Sequence, residues 1–356
     1  MLRLARQRRA TRQNEAAKKL GVSPADLSRI ENDAKEPSAE LLSKAADAFN
    51  VPVEFFALTD RIYGAPVSVH PMWRKKAEVT AGEMDAVIAE LNVRVMHLRR
   101  LLESTDINPI RSIPQLDMEQ YGSAAKIAGL LRAHWMLPSG PIPNLTAILE
   151  EAGLIVVHSP MGGSSISGVT FRVPGLPPLI VLNRDQPADR MRFTLSHELA
   201  HIVMHQFPTP TMEQEANEFA SCFLVPTKDV ASDFGAGRVD LPKLAALKRV
   251  WKVSMASLVF AADRAGKLSM AQKNYLWQQF SMAGIRTSEP PELDFPPEEP
   301  TIVHSLLRIH IENLGYTISE LAQILTMNES ELPEFYDITD VLGSAPTRPR
   351  GLRVIK

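Results

Sequence analysis

The sequence predicts a multi-domain, mainly α-helical protein: an all-α N-terminal bundle of helix-turn-helix form, then an α+β domain of zincin type with a small sheet. Three observations predict it. Residues 193–204 form an apolar run that encloses His197-Glu198-Leu199-Ala200-His201. Residues 13–32 read as helix, glycine turn, helix. Three short apolar runs at 154–158, 166–172 and 178–182 precede the histidine motif and have the length and content of strands.

Composition narrows the classes. At 356 residues the chain is long enough for two or three domains with sizeable cores. A formal net charge of −2 excludes a bulk polyanion binder. The single cysteine, Cys222, excludes an internal disulfide, fits a reducing compartment and reads as a small core residue. No apolar run reaches 18 residues, and Met1-Leu2 leads straight into arginines, unlike a signal peptide. The expected location is the cytoplasm, at the nucleoid, with no membrane contact. Neither a P-loop nor G-x-G-x-x-G occurs, so nucleotide binding has no support.

From the N-terminus, residues 13–20 suit a short helix and Gly21-Val22 a tight turn. Ser23 is placed to cap a second helix with Pro24 in its first turn. Residues 37–49 and 51–56 supply further helices that bury the apolar side. In the second helix Leu27 and Ile30 face inward, while Ser23, Asp26, Ser28 and Arg29 are polar enough to meet phosphates or base edges of double-stranded DNA. Gln13 opens the first helix of the pair. Arg3, Arg6, Arg8, Arg9, Arg12, Lys18 and Lys19 face only Glu15 among the first twenty residues, a cluster able to follow phosphates. A plain helical bundle with a solvated basic arm is the competing reading.

Domain 1–58 is followed by a linker with turns at 63–66 and 70–71 and a long helix at 83–102, read as a spacer or dimer contact. Residues 121–131 and 144–152 are helical, the three strands come next, and spacing leaves their order open. Residues 161–165 fit a surface loop or a mobile rim beside the strands. After Pro226 helices are expected at 241–249, 255–265 and 270–284. An acidic, proline-rich connector (288–300) then leads to a small helical unit at 302–313 and 318–325 and a tail (344–351) of disordered composition. The boundaries are therefore 1–58, 59–120, 121–287 and 288–356.

The histidine motif carries the chemistry. On a helix, residues four apart lie on one face about 6 Å apart along the axis. His197 and His201 can thus point at one Zn2+ ion, and Glu198 between them can take a proton from an attacking water. The competing reading is a buried helix with two merely hydrogen-bonded histidines. His205 lies about 12 Å along the axis from His197, too far to share the ion on a straight helix. The next amphipathic helix offers Glu213 as third ligand, with Asn217 one turn on to accept from a ligand ring N–H. Glu215, about 200° around that helix, is read as solvated or capping and stays as the alternative ligand.

Residues 189–205, with Glu213-Gln-Glu-Ala-Asn-Glu-Phe-Ala220 and Leu224-Val-Pro226, resemble the ImmA/IrrE family of zinc metallopeptidases. Residues 135–142, Ser167-Gly168, Leu182-Asn183, 247–256 and 284–290 extend the likeness. One departure is Ala200, where many relatives carry Gly. The resemblance implies His197 and His201 as ligands, Glu198 as general base, and an acidic residue opening the next helix to complete the site. Residues 1–58 resemble the XRE (Cro-type) DNA-binding family through Gln13, Ala17, Gly21-Val22-Ser23, Leu27-Ser-Arg-Ile-Glu31 and Pro37. They depart in the first loop, where Ala10-Thr-Arg-Gln stands. Together these imply a DNA-binding regulator, expected as a homodimer, whose peptidase domain cuts a protein substrate such as a repressor. The alternative is a ligand-sensing regulator of acyl-CoA-responsive layout, in which the domain binds an effector without proteolysis.

Overall fold

Gly21 ends the second helix in the left-handed conformation (φ 71°) that a missing Cβ permits. Ser23 opens the third by accepting from the Asp26 N–H at 3.0 Å, a cap that stabilises by about 1 kcal/mol. The bundle so punctuated is α1 (Leu2–Arg8), α2 (Gln13–Leu20), α3 (Pro24–Glu31) and α4 (Ala39–Phe49). Leu20, Leu27, Ala45 and Phe49 are buried between them. The computed structural model describes residues 1–64, 80–161, 166–235, 237–338 and 352–354. The turns expected at 65–66 and 70–71, most of the 161–165 loop and the 344–351 tail lie outside the described residues.

The bundle does not close on itself. Ala89, Val93 and Met96 of α5 (Ala81–Leu101) complete its core. The other side of α5, through Met84, Leu91, Val95 and Leu98, packs on the sheet and the C-terminal helices. Every residue from Leu91 to Leu98 is buried within the chain. That burial replaces the expected spacer or dimer contact with an internal strut. Most of its buried polar groups find partners in place. Arg94 pairs with Glu90 at 2.7 Å and lies over the Phe335 ring, and His97 Nδ1 lies 2.7 Å from the Tyr336 hydroxyl.

Among the described residues five strands form two sheets. β1 (Thr105–Ile107) pairs antiparallel with β5 (Leu352–Val354). β2 (Ile155–Ser159), β3 (Gly168–Phe171) and β4 (Leu179–Asn183) form a mixed sheet of order β2-β4-β3, with β2 parallel and β3 antiparallel to β4. Alternate residues divide between two cores. Ile155, Val157, Leu179 and Val181 face α5 and the C-terminal helices, whereas Val156, Ile180 and Leu182 face the helix that carries the histidine motif. A sheet covered on both sides reads as unbroken apolar runs, which is why spacing alone could not order its strands.

Residues 288–300 lie along the domain as a strap. Glu289 accepts from Lys248 Nζ at 2.8 Å, Glu298 pairs with Arg192, and Glu150 accepts from the Thr301 and Ile302 N–H groups at 2.9 and 3.0 Å. The helices Ile302–Arg308, Ile318–Ile324 and Leu332–Tyr336 then pack back on α5 and the sheet through Leu306, Leu321 and Leu332. This terminal unit reaches the bundle too: Glu331 accepts from Arg8 at 2.5 Å and from Arg9 at 2.9 Å.

Gly168 lets the sheet approach the histidine-bearing helix. A Cβ there would sit 2.6 Å from Thr194 Cγ2 and 3.2 Å from the Val181 carbonyl oxygen, both in packed surroundings. Gly168→Ala is therefore expected to destabilise by about 1–3 kcal/mol, read as a lower urea midpoint at unchanged slope. Burial gives a second expectation. It holds the His97 imidazole well below its usual range and pushes His158 from 6.5 down to about 4. The unfolded chain takes up these protons more readily, so this stability is complete above pH 6.5 and is lost as pH falls toward 4. Urea unfolding from about pH 7 to about 5 should show that loss, with a shallower slope in His158→Gln.

Candidate functional site

The metal helix, Ala188–Met204, is buried along nearly its whole length, and helix Met212–Leu224 packs against it. His197 and His201, one turn apart, bring their Nε2 atoms to 3.0 Å. Glu213 closes the third side, with oxygens 3.4 Å from His197 Nε2 and 3.3 Å from His201 Nε2. The ligand atoms of the three residues lie within 4.8 Å of one another, and among the described residues no other such trio occurs. Asn217 Oδ1 lies 3.1 Å from His197 Nδ1. An amide oxygen only accepts, so Nδ1 carries the proton and Nε2 turns a lone pair to the shared point.

The trio suits a cation. Burial opposes charge on both groups, yet Glu213 is lowered to about 2 and the His197 imidazole is raised, because each faces the other. A positive charge is thus favoured where the three side chains meet. Two imidazole nitrogens and a carboxylate oxygen form a donor set that fits zinc with a position left open for water or substrate. Glu198 is 1 % exposed, and its Oε2 has no hydrogen-bond partner among the described residues. Such a buried acceptor is costly unless something else meets it.

Two residues take places that local spacing did not foresee. Glu215 is not part of the trio and is only partly solvated: its Oε2 lies 3.0 Å from His205 Nε2. His205 Nδ1 in turn lies 2.9 Å from His201 Nδ1. On a straight helix His205 would stand apart, but the helix ends at Met204. His205 adopts extended backbone (φ −110°, ψ 101°), which brings its ring beside that of His201 with centroids 5.0 Å apart. The available signal was the third histidine of the i, i+4 row standing where the helix stops. Asn217 also lines a groove of about 760 Å³, bordered by Phe193, Arg190, Phe260 and Arg264.

At the other end of the chain, Ser23, Asp26, Ser28 and Arg29 are exposed or half-buried, with Leu27 and Ile30 turned inward. Asp26 accepts from Arg29 and Lys35, each at 2.8 Å. Gln13 donates to Glu31 at 3.0 Å. The basic cluster is mostly spent within the protein. Arg6 pairs with Glu31 at 2.6 Å, Arg8 and Arg9 with Glu331, and Lys19 with Glu15 at 3.0 Å. Arg12 and Lys18 are exposed and make no ion pair among the described residues. A count of nearby charges could not find Glu331, which is 323 residues away from Arg8.

Comparison with protein families agrees with both ends. Residues 149–263 match the model of the IrrE N-terminal-like domain, a peptidase family, and residues 2–56 match a helix-turn-helix model. Over those residues the chain is thus similar to DNA-binding helix-turn-helix domains of XRE type and to IrrE/ImmA-like peptidase-family domains. No curated protein matches it. Among the described residues no helix is long and apolar enough to cross a membrane.

Elemental analysis of purified protein should find about one zinc per chain, lost in His197→Ala and His201→Ala and retained in Glu198→Gln. Metal-free protein that gains nothing from added zinc would refute the site. On DNA, Arg12→Ala and Lys18→Ala should each weaken binding to all sequences alike and reduce the salt slope by about one. Arg8→Ala is expected to loosen the bundle from the C-terminal unit instead, seen as faster amide exchange in α1. A uniform loss of DNA affinity in Arg8→Ala, without that change, would return Arg8 to the phosphate-contacting set.

Proposed function

We propose that this protein is a DNA-binding regulator whose peptidase domain cleaves a protein substrate, a repressor being the class its own helix-turn-helix suggests. The observation that carries the reading is the meeting of His197, His201 and Glu213 beside a buried Glu198 with an unpartnered oxygen. Zinc held by the first three residues would polarise the scissile carbonyl and acidify an attacking water. Glu198 Oε2 takes that water's proton and returns it to the leaving amine. Asn217 holds His197 in the tautomer that leaves Nε2 free. β3 is an edge strand against the metal helix, suited to pairing with an extended substrate segment. A homodimer reading a two-fold site through Ser23, Asp26, Ser28 and Arg29, with Gln13 beside them, fits the helix-turn-helix geometry. The location this assigns is the cytoplasm, at the nucleoid.

A second reading, an effector-binding regulator without proteolysis, is favoured by one observation. The 760 Å³ groove has the size of a small-ligand pocket and is lined in part by Asn217, the partner of His197. Comparing the proteomes of cells carrying wild-type protein and Glu198→Gln separates the two. The peptidase reading expects one or a few proteins to accumulate uncleaved in Glu198→Gln. Cleavage of such a protein in vitro should then fall by about 10²–10⁴-fold, with zinc content and DNA affinity unchanged. An unaltered proteome with regulation intact in that variant would favour the effector reading.

A further inference from the structure

Three side chains stand in a row from the surface to the shared ligand point: Glu215, His205 and His201, whose Nε2 meets Glu213 and His197 there. A row of nitrogens and oxygens leaves little freedom for protons once one end is fixed. Glu215 is that end. As a carboxylate it can only accept, so His205 Nε2, 3.0 Å away, must carry a proton. A neutral His205 then has a lone pair on Nδ1, and the 2.9 Å contact makes His201 Nδ1 the donor. His201 Nε2 is left unprotonated, facing His197 Nε2 and Glu213.

We infer that Glu215 and His205 are positioning residues, a proton-fixing relay that holds His201 in its metal-binding tautomer before any metal arrives. The inference rests on the metal reading given above and adds to it a role for two residues outside the ligand set. His201 is served differently from His197, whose tautomer is set by the neutral amide of Asn217. A carboxylate acting through a second imidazole fixes His201 and makes its ring a better donor.

The same row closes a loop. Residues 206–211 join the end of the metal helix to helix Met212–Leu224, and the contact of His205 with Glu215 bridges that loop at its two ends. Glu213 and Glu215 stand two residues apart in the first turn of that helix, and each meets a different part of the histidine row. The relay therefore also brings the third ligand into place. His205 side chain is 3 % exposed and that of Glu215 19 % exposed, so the relay is largely shielded from water that could scramble its protons.

The test uses the full chain in three forms: wild type, Glu215→Ala and Glu215→Gln. Gln keeps an acceptor oxygen for His205 Nε2–H, and Ala removes it. Long-range 15N–1H spectra of the metal-free proteins report which nitrogen of each histidine ring is protonated. Chelator competition gives the zinc dissociation constant, and the visible spectrum of the cobalt-substituted protein reports the ligand field. Wild type is expected to show His201 protonated on Nδ1. Glu215→Ala should show mixed tautomers at His201, a zinc dissociation constant raised by about 10–100-fold and an altered cobalt spectrum. Glu215→Gln should restore the tautomer and most of the affinity. His205→Ala should repeat the Glu215→Ala affinity loss, with circular dichroism checking that each variant is folded. An Nε2-protonated His201 in wild type, or a folded Glu215→Ala with wild-type zinc affinity and cobalt spectrum, would overturn the relay. Wild-type protein that binds neither zinc nor cobalt would instead overturn the metal reading itself.

Discussion

A helix buried from end to end cannot leave its polar side chains to water, and the metal helix is full of them. Several of them are met by different elements. Asp189 accepts from Lys248 at 2.6 Å, Arg192 pairs with Glu298 of the strap, and His197 meets Asn217. His201 meets His205, and Thr194 fits against Gly168 of the sheet. Removing one partner of such a buried pair leaves an uncompensated group, at a cost of several kcal/mol. The arrangement of helices, strap and sheet around this segment is the solution to that one constraint. Among the described residues Glu198 Oε2 and Glu213 Oε1, beside the two histidines, keep polarity to spare.

The second half of the architecture follows from α5. Because both its sides are taken, one by the N-terminal bundle and one by the sheet and terminal helices, it couples units that the chain order keeps far apart. Glu90, Arg94 and His97 on this helix meet Ser159 of the sheet and Phe335 and Tyr336 of the terminal unit. A bundle that lends its arginines to Glu331 and borrows core residues from α5 is not an independent module. Experiments on DNA binding belong on the full chain.

What the sequence revealed, and what it concealed, divides by range. The helix-turn-helix was legible because caps and turns are local: Gly21, Ser23 and Pro24 act within a few residues of themselves. The pairing of His197 with His201 was legible because one helical turn is a fixed distance. Glu213 and Asn217 were within reach for the same reason, once the next helix was seen to begin at about the right place. Glu215 and His205 were not. Their contact depends on where the metal helix stops, and boundaries are the least local property of a helix. Arg8 with Glu331 and Arg192 with Glu298 join residues that no window spans. The strand order stayed hidden because burial on both faces removes the alternation that would betray a partner.

The bond between the bundle and the terminal unit has a consequence in time. A ribosome delivers Arg8 first and Glu331 more than three hundred residues later. At a typical elongation rate of about 5–20 residues per second, that interval lasts tens of seconds. Throughout it Arg8 and Arg9 lack the carboxylate of Glu331, while the core face waits only for α5, made early in that interval. The nascent bundle is a more cationic and more open object than the finished one. Its seat on the terminal helical unit exists only once Glu331 has been made.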